Sequence, residues 1–226
     1  NMMKTIYKQL FTCVAALLLA ISVPAQELPL LPADPAVKQG VLPNGMTYFL
    51  SHNSASKGKA DFALVQKTGF RTLPDSVMSD VAFRAREGLG YVPRLGKRSV
   101  QAFMTDHGAA AGRSGFVEVT DDATVFRFPG IRLTDGKDVI DSTLLVVMGI
   151  TEKSTLPEED FLEKWYAPSD QAIIVCGDID VNSVAEKLRM LSFIVQKGQS
   201  LERNEHVWSS KAEPLICVED ASDDEL

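Results

Sequence analysis

Histidine is scarce in this chain. The 226 residues include His52, His107 and His206, and no two of them lie one helical turn apart. That excludes a metal site built on two imidazoles from one helix. Cationic residues are outnumbered, with 23 Lys and Arg against 30 Asp and Glu, a net charge of −7. Nucleic-acid binding needs a basic face that releases counterions, and this balance argues against it. Cysteine is nearly absent. Cys13 lies in an N-terminal apolar run, while Cys176 and Cys217 sit in apolar, strand-like stretches that read as two buried thiols. An oxidising compartment would allow a bond between them, and spacing alone leaves it open. The glycine-rich stretch Gly108–Gly115 lacks the Gly-Lys-Ser/Thr ending of a phosphate loop and reads as a connection.

The N-terminal run is too short for a membrane span. Leu10 to Val23 is 14 residues, against the roughly 20 that a bilayer needs. Lys4 and Lys8 precede it, and Val23-Pro24-Ala25 offers small residues before Gln26. Residues 1–25 therefore read as a secretory signal, which implies a periplasmic or secreted protein with no membrane span once it is removed. Residues 26–226 are enough for a single domain with a sizeable core.

Turn and periodicity signals divide that domain. Leu42-Pro43-Asn44-Gly45 between Val41 and Met46–Leu50 predicts a hairpin. Asp61–Lys67 alternates as a strand, and residues 76–87 have helical spacing ended by Gly88-Leu89-Gly90. Ser99 is placed to cap a helix through about Asp106, with Gly108 as its stop. Phe116–Thr120 and Thr124–Phe128 read as strands joined at Asp121-Asp122. Lys137–Met148 reads as a helix, a short acidic helix is expected after Pro157, Ala172–Cys176 reads as a buried strand and Asn182–Leu191 as a helix. The acidic tail Glu219–Leu226 is expected to fray. Hairpin strands mixed with helical clusters give an α+β class.

Three stretches carry a resemblance. They are Leu31–Val37 with Leu42-Pro43-Asn44-Gly45-Met46-Thr47-Tyr48 and Phe62–Gly69, then Asp122–Phe128, then Trp165-Tyr166-Ala167-Pro168 running through Ile173–Cys176 to Gly177-Asp178-Ile179-Asp180. In this order they resemble the insulinase/pitrilysin (inverzincin) family of zinc peptidases, in a shortened Bacteroides-type form. The resemblance implies a mostly antiparallel sheet with helices packed on one face, a half-domain of that family. Active members carry zinc and use His-x-x-Glu-His on a helix, and no such string occurs here. The motif helix matches Asp80-Val81-Ala82-Phe83-Arg84. Asp80 and Arg84 then stand at the histidine positions and Phe83 at that of the general base. Arg offers no lone pair and its charge repels a dication, and Phe accepts no proton. The family also places roughly 70 residues, far beyond the usual connection length, between the helix near Ile150 and the Trp-Tyr turn. That segment, which carries the third ligand, is shortened here near 151–164.

These departures lead to an expectation of a non-catalytic homologue with no cofactor, whose partner is a polypeptide or a peptidase-like subunit, including a second copy of the chain. Two alternatives stand beside it. One is a zinc endopeptidase with unconventional ligands Asp80, His107 and Glu158. The other is a remnant without a dedicated ligand. More ordinary roles are available to the same residues: a helix end for Asp106-His107, a strand end for His52, a polar connection for His206, and a solvated first turn for Glu158 and Glu159. Arg94, Lys97 and Arg98 read as a solvated basic loop.

Overall fold

The computed structural model describes residues 34–90, 95, 98–151 and 165–193. The expected signal segment, His206, Cys217, Glu158, the acidic helix and the acidic tail lie outside the described residues.

The chain from Pro35 onward forms one compact unit, built on a six-stranded sheet. The strands are β1 (Val37–Val41), β2 (Thr47–His52), β3 (Lys59–Gln66), β4 (Val117–Val119), β5 (Thr124–Arg132) and β6 (Gln171–Gly177), in the order β1-β2-β6-β3-β5-β4. Among the described residues only the β2–β6 pair is parallel; the other neighbours are antiparallel.

The predicted first hairpin forms with Gly45 rather than Asn44 in the left-handed region (φ 94°). The Gly45 N–H donates to Leu42 O at 2.8 Å, and Leu42 N–H to Met46 O at 2.8 Å. Pro43 and Asn44 thus form the turn, and Gly45 is the bulge residue that follows it. The second hairpin closes at Asp121-Asp122, with Thr120 N–H donating to Ala123 O at 2.8 Å.

Alternation along the strands makes one face apolar. Register aligns Leu50, Val175, Phe62 and Phe128 in one row, and Tyr48, Ile173, Leu64, Phe126 and Val117 in the next. Apart from half-buried Tyr48 and Val117, these side chains are buried, each stabilising the fold by about 1.5–3 kcal/mol. Helices α4 (Val139–Gly149) and α5 (Val181–Leu191) add Leu144, Val147, Val184 and Leu188 to the same core. Lys187 Nζ lies 2.5 Å from Asp141 Oδ1 and links the two helices. Helices therefore pack on one face of the sheet. The opposite face carries half-buried Phe49 and Ala63 and exposed Ile174.

Caps behave as their residue types require. Ser99 Oγ accepts from Ala102 N–H at the start of α3 (Val100–Asp106), and Asp180 accepts from Asn182 and Ser183 N–H at the start of α5. One expected element is different. Residues 76–87 form two helices rather than one, α1 (Asp75–Met78) and α2 (Val81–Glu87). Asp80 N–H donates to Val77 O, a tighter i−3 bond, and Ser79 and Asp80 are poor interior helix formers. Val77 and Val81 keep helical spacing across the break, so periodicity alone reads straight through it.

Candidate functional site

Of the positions matched to the peptidase motif, Phe83 and Arg84 sit on α2 and Asp80 is its N-cap, and α2 lies beside β4. A 3-10 turn, Phe70–Thr72, docks first on the β4–β5 hairpin. Phe70 N–H donates to Thr120 O at 3.0 Å and Arg71 N–H to Asp121 O at 2.8 Å. Gly69 permits this approach, since a Cβ there would lie 2.4 Å from Thr120 O. The Arg71 guanidinium then sits 3.6 Å from Asp121. Val81 of α2 packs with Leu73 and Tyr166, and Val119 of β4 joins that cluster.

On α2, Val81 and Ala85 point into the protein and Phe83 is 58% exposed. Arg84 N–H donates to Asp80 O at 2.9 Å, so the two are one turn apart, as the motif requires. Arg84 Nη1 reaches Glu87 Oε2 at 2.9 Å and its guanidinium lies 5.6 Å from the Phe83 ring centroid. The two side chains that a metal and a general base would need are therefore a cation and an aromatic ring. Neither offers a lone pair to a dication.

Asp80 and His107, the two described members of the unconventional ligand set, are not brought together. Val81, next to Asp80, packs on Tyr166, whose phenol lies near the Thr124 side chain at the start of β5. His107 belongs to the other end of β5, where its carbonyl accepts from Arg132 N–H at 2.8 Å. Nine residues of strand separate these ends, a span of about 26 Å at 3.3 Å per step. His107 caps α3, with Nδ1 2.8 Å from Phe103 O and its ring 4.3 Å from that of Phe103. Asp106 is ion-paired with Arg98, and the hydrogen bond from Arg132 holds the Asp135 carboxyl below its usual range. Among the described residues no three His, Cys, Asp or Glu side chains gather as a metal site would.

His52 is exposed, with Nδ1 3.0 Å from Ile179 O. Cys176 is a free thiol on the outer sheet face. Ser99 serves as a cap, and Ser114 is exposed.

Sequence reading missed a buried polar row. Beyond the two apolar rows of the inner face, register puts Gln171, Gln66 and Thr124 side by side, and all three are buried. Gln66 Nε2 donates to Trp165 O (3.1 Å), as does Thr68 Oγ1 (2.6 Å), and Thr124 Oγ1 donates to Thr68 O (2.7 Å). Gln171 Nε2 donates to Thr151 Oγ1 (2.7 Å) and Tyr166 O (3.1 Å). These bonds fix the Trp165-Tyr166 turn beneath α2. Burial pushes the Tyr166 phenol up to about 12, with the nearby Thr124 hydroxyl acting the other way. The signal available was polar residues at inward positions of two strands, Gln66 and Gln171.

The sequence matches no family profile and no curated protein. Solved structures do resemble it. The first half of the periplasmic protease PqqL from Escherichia coli aligns with a TM-score of 0.68 at 17% identity, covering 81% of this chain and 51% of that one. A predicted insulinase family protease from Yersinia pestis aligns at 0.61 and 16% identity, over 76% of this chain and 50% of that one. A peptidase M16 inactive domain from Pseudomonas fluorescens aligns at 0.54 and 13% identity, over 74% and 52%. This chain thus spans about half the length of each. The protein has the fold of the insulinase/pitrilysin peptidase half-domain.

Proposed function

We propose that this chain is an exported, non-catalytic homologue of a zinc metallopeptidase half-domain that binds a polypeptide or a peptidase-like subunit as an added strand. The observation that carries the reading is β4, an edge strand lying beside α2. Thr120 pairs with Ala123 across the hairpin, and Arg127 N–H donates to Phe116 O. Alternation in an antiparallel ladder then turns the N–H and C=O of Val117 and Val119 away from β5. Among the described residues no strand covers that side. An extended peptide laid there gains backbone bonds whatever its sequence. It would run alongside the helix whose motif positions are Asp80, Phe83 and Arg84, so binding is kept while the hydrolytic groups are not.

Export rests on the N-terminal signal features. Among the described residues no helix is long and apolar enough to cross a membrane.

Two measurements test the proposal together. Metal analysis of the purified chain should find no stoichiometric zinc, and unstructured peptides should survive incubation with it. Capture of an envelope polypeptide by the chain should be lost in Val117→Pro, which removes one outward N–H at an edge position that tolerates proline. About one equivalent of zinc with chelator-sensitive cleavage would overturn the non-catalytic reading. Equal capture by the variant would overturn the edge-strand mode.

A further inference from the structure

The buried polar row leaves two acceptors without donors. Gln66 is 0% exposed and Gln171 2%, and neither Gln66 Oε1 nor Gln171 Oε1 has a hydrogen-bond partner. Rotating the amides does not solve this. Each Nε2 already faces a main-chain carbonyl, Trp165 O for Gln66 and Tyr166 O for Gln171, and a flip would set oxygen against oxygen. The orientation of both amides is therefore fixed by their neighbours. A buried amide oxygen is expected to find a donor.

The two glutamines are direct cross-strand partners in the β3–β6 ladder and lie on the same face. Their Cβ atoms are therefore about 4.5–5.5 Å apart, close enough for one small molecule to touch both side chains. Two acceptors match the two protons of a water. A third bond is available from the Thr151 hydroxyl, whose oxygen accepts from Gln171 Nε2 and whose own proton is still free to be donated. Buried waters typically make about three such bonds.

We propose that a single internal water sits between Gln66 and Gln171, donating to both Oε1 atoms and accepting from Thr151. Its place in the fold gives it a role. Gln171 already ties Thr151, just beyond α4, to Tyr166, just before β6. The water extends that clamp to Gln66 and so to Trp165 O, joining both ends of the α4–β6 connection to the central strands. It is a structural ligand of the polar row, separate from any polypeptide on the β4 edge.

Oxygen-17 relaxation dispersion on the full chain counts long-lived internal waters, and a high-resolution crystal structure locates them. The expected result is density within hydrogen-bond distance of both Oε1 atoms, with one long-lived water lost in Gln66→Met and in Gln171→Met. Neither variant is needed for the crystallographic arm, so a failure to fold would not spare the proposal. A dry row, two separate waters, or a protein donor on either Oε1 would overturn it.

Discussion

Tyr166 shows how one buried side chain couples the polar row to stability. Its phenol lies in the cluster with Leu73 and Val81, and burial raises its pKa from 10.0 to about 12. The folded protein therefore favours the neutral phenol. The resulting stabilisation is fully present below pH 10 and is lost as pH rises from 10 through 12. By pH 11 the loss is about 1.4 kcal/mol, one pKa unit of linkage. Urea unfolding at pH 8 and pH 11 should show that extra loss in the native chain and not in Tyr166→Phe. Parallel pH profiles for the two proteins would mean that Tyr166 ionises freely in the fold. Gly69 acts at the same scale by a different cause. It is required because the 3-10 turn lies against the carbonyl of Thr120, a contact set by tertiary packing that no local pattern announces.

At the scale of elements, the break between α1 and α2 matters most for chemistry. α2 has seven residues and starts after Asp80, whose side chain makes no cap bond. Writing the family motif back with Asp80→His, Phe83→Glu and Arg84→His would put one imidazole outside the helix and one inside it. By the family resemblance the third ligand's segment is shortened, and an incomplete shell holds zinc poorly. The triple variant should bind zinc weakly at most and show no peptidase activity above background in a fluorogenic peptide assay; robust cleavage would sink this account. The elements themselves were largely legible. Alternation over Asp61–Lys67 announced β3, Ser99 announced α3 through cap chemistry that acts within three residues, and Asn182–Leu191 was read as the helix that became α5. The parallel β2–β6 pair and the Gln66–Gln171 partnership were not legible. Both depend on strands far apart in sequence, whose register is set only when the whole sheet assembles. That no His-x-x-Glu-His string occurs was plain from the sequence alone.

For the whole molecule, the β4 edge, which no strand covers among the described residues, raises the question of what it recruits. Outward groups of Val117 and Val119 supply about four backbone bonds to an added strand, worth roughly 2–6 kcal/mol in all at 0.5–1.5 each. A micromolar complex requires about 8 kcal/mol, and a millimolar one about 4. Edge pairing alone therefore gives weak association, and a tighter partner must also cover apolar surface such as Phe83, which is exposed on α2. A two-fold dimer through β4 is the simplest self-complementary arrangement, and a net charge of −7 on each copy opposes it. Sedimentation equilibrium should accordingly show reversible self-association between about 10 μM and 1 mM. It should strengthen as added salt screens the like charges and disappear in Val117→Pro. A monomer at every concentration, with no envelope partner captured, would leave the edge without an occupant and favour a fold that has outlived its ligand.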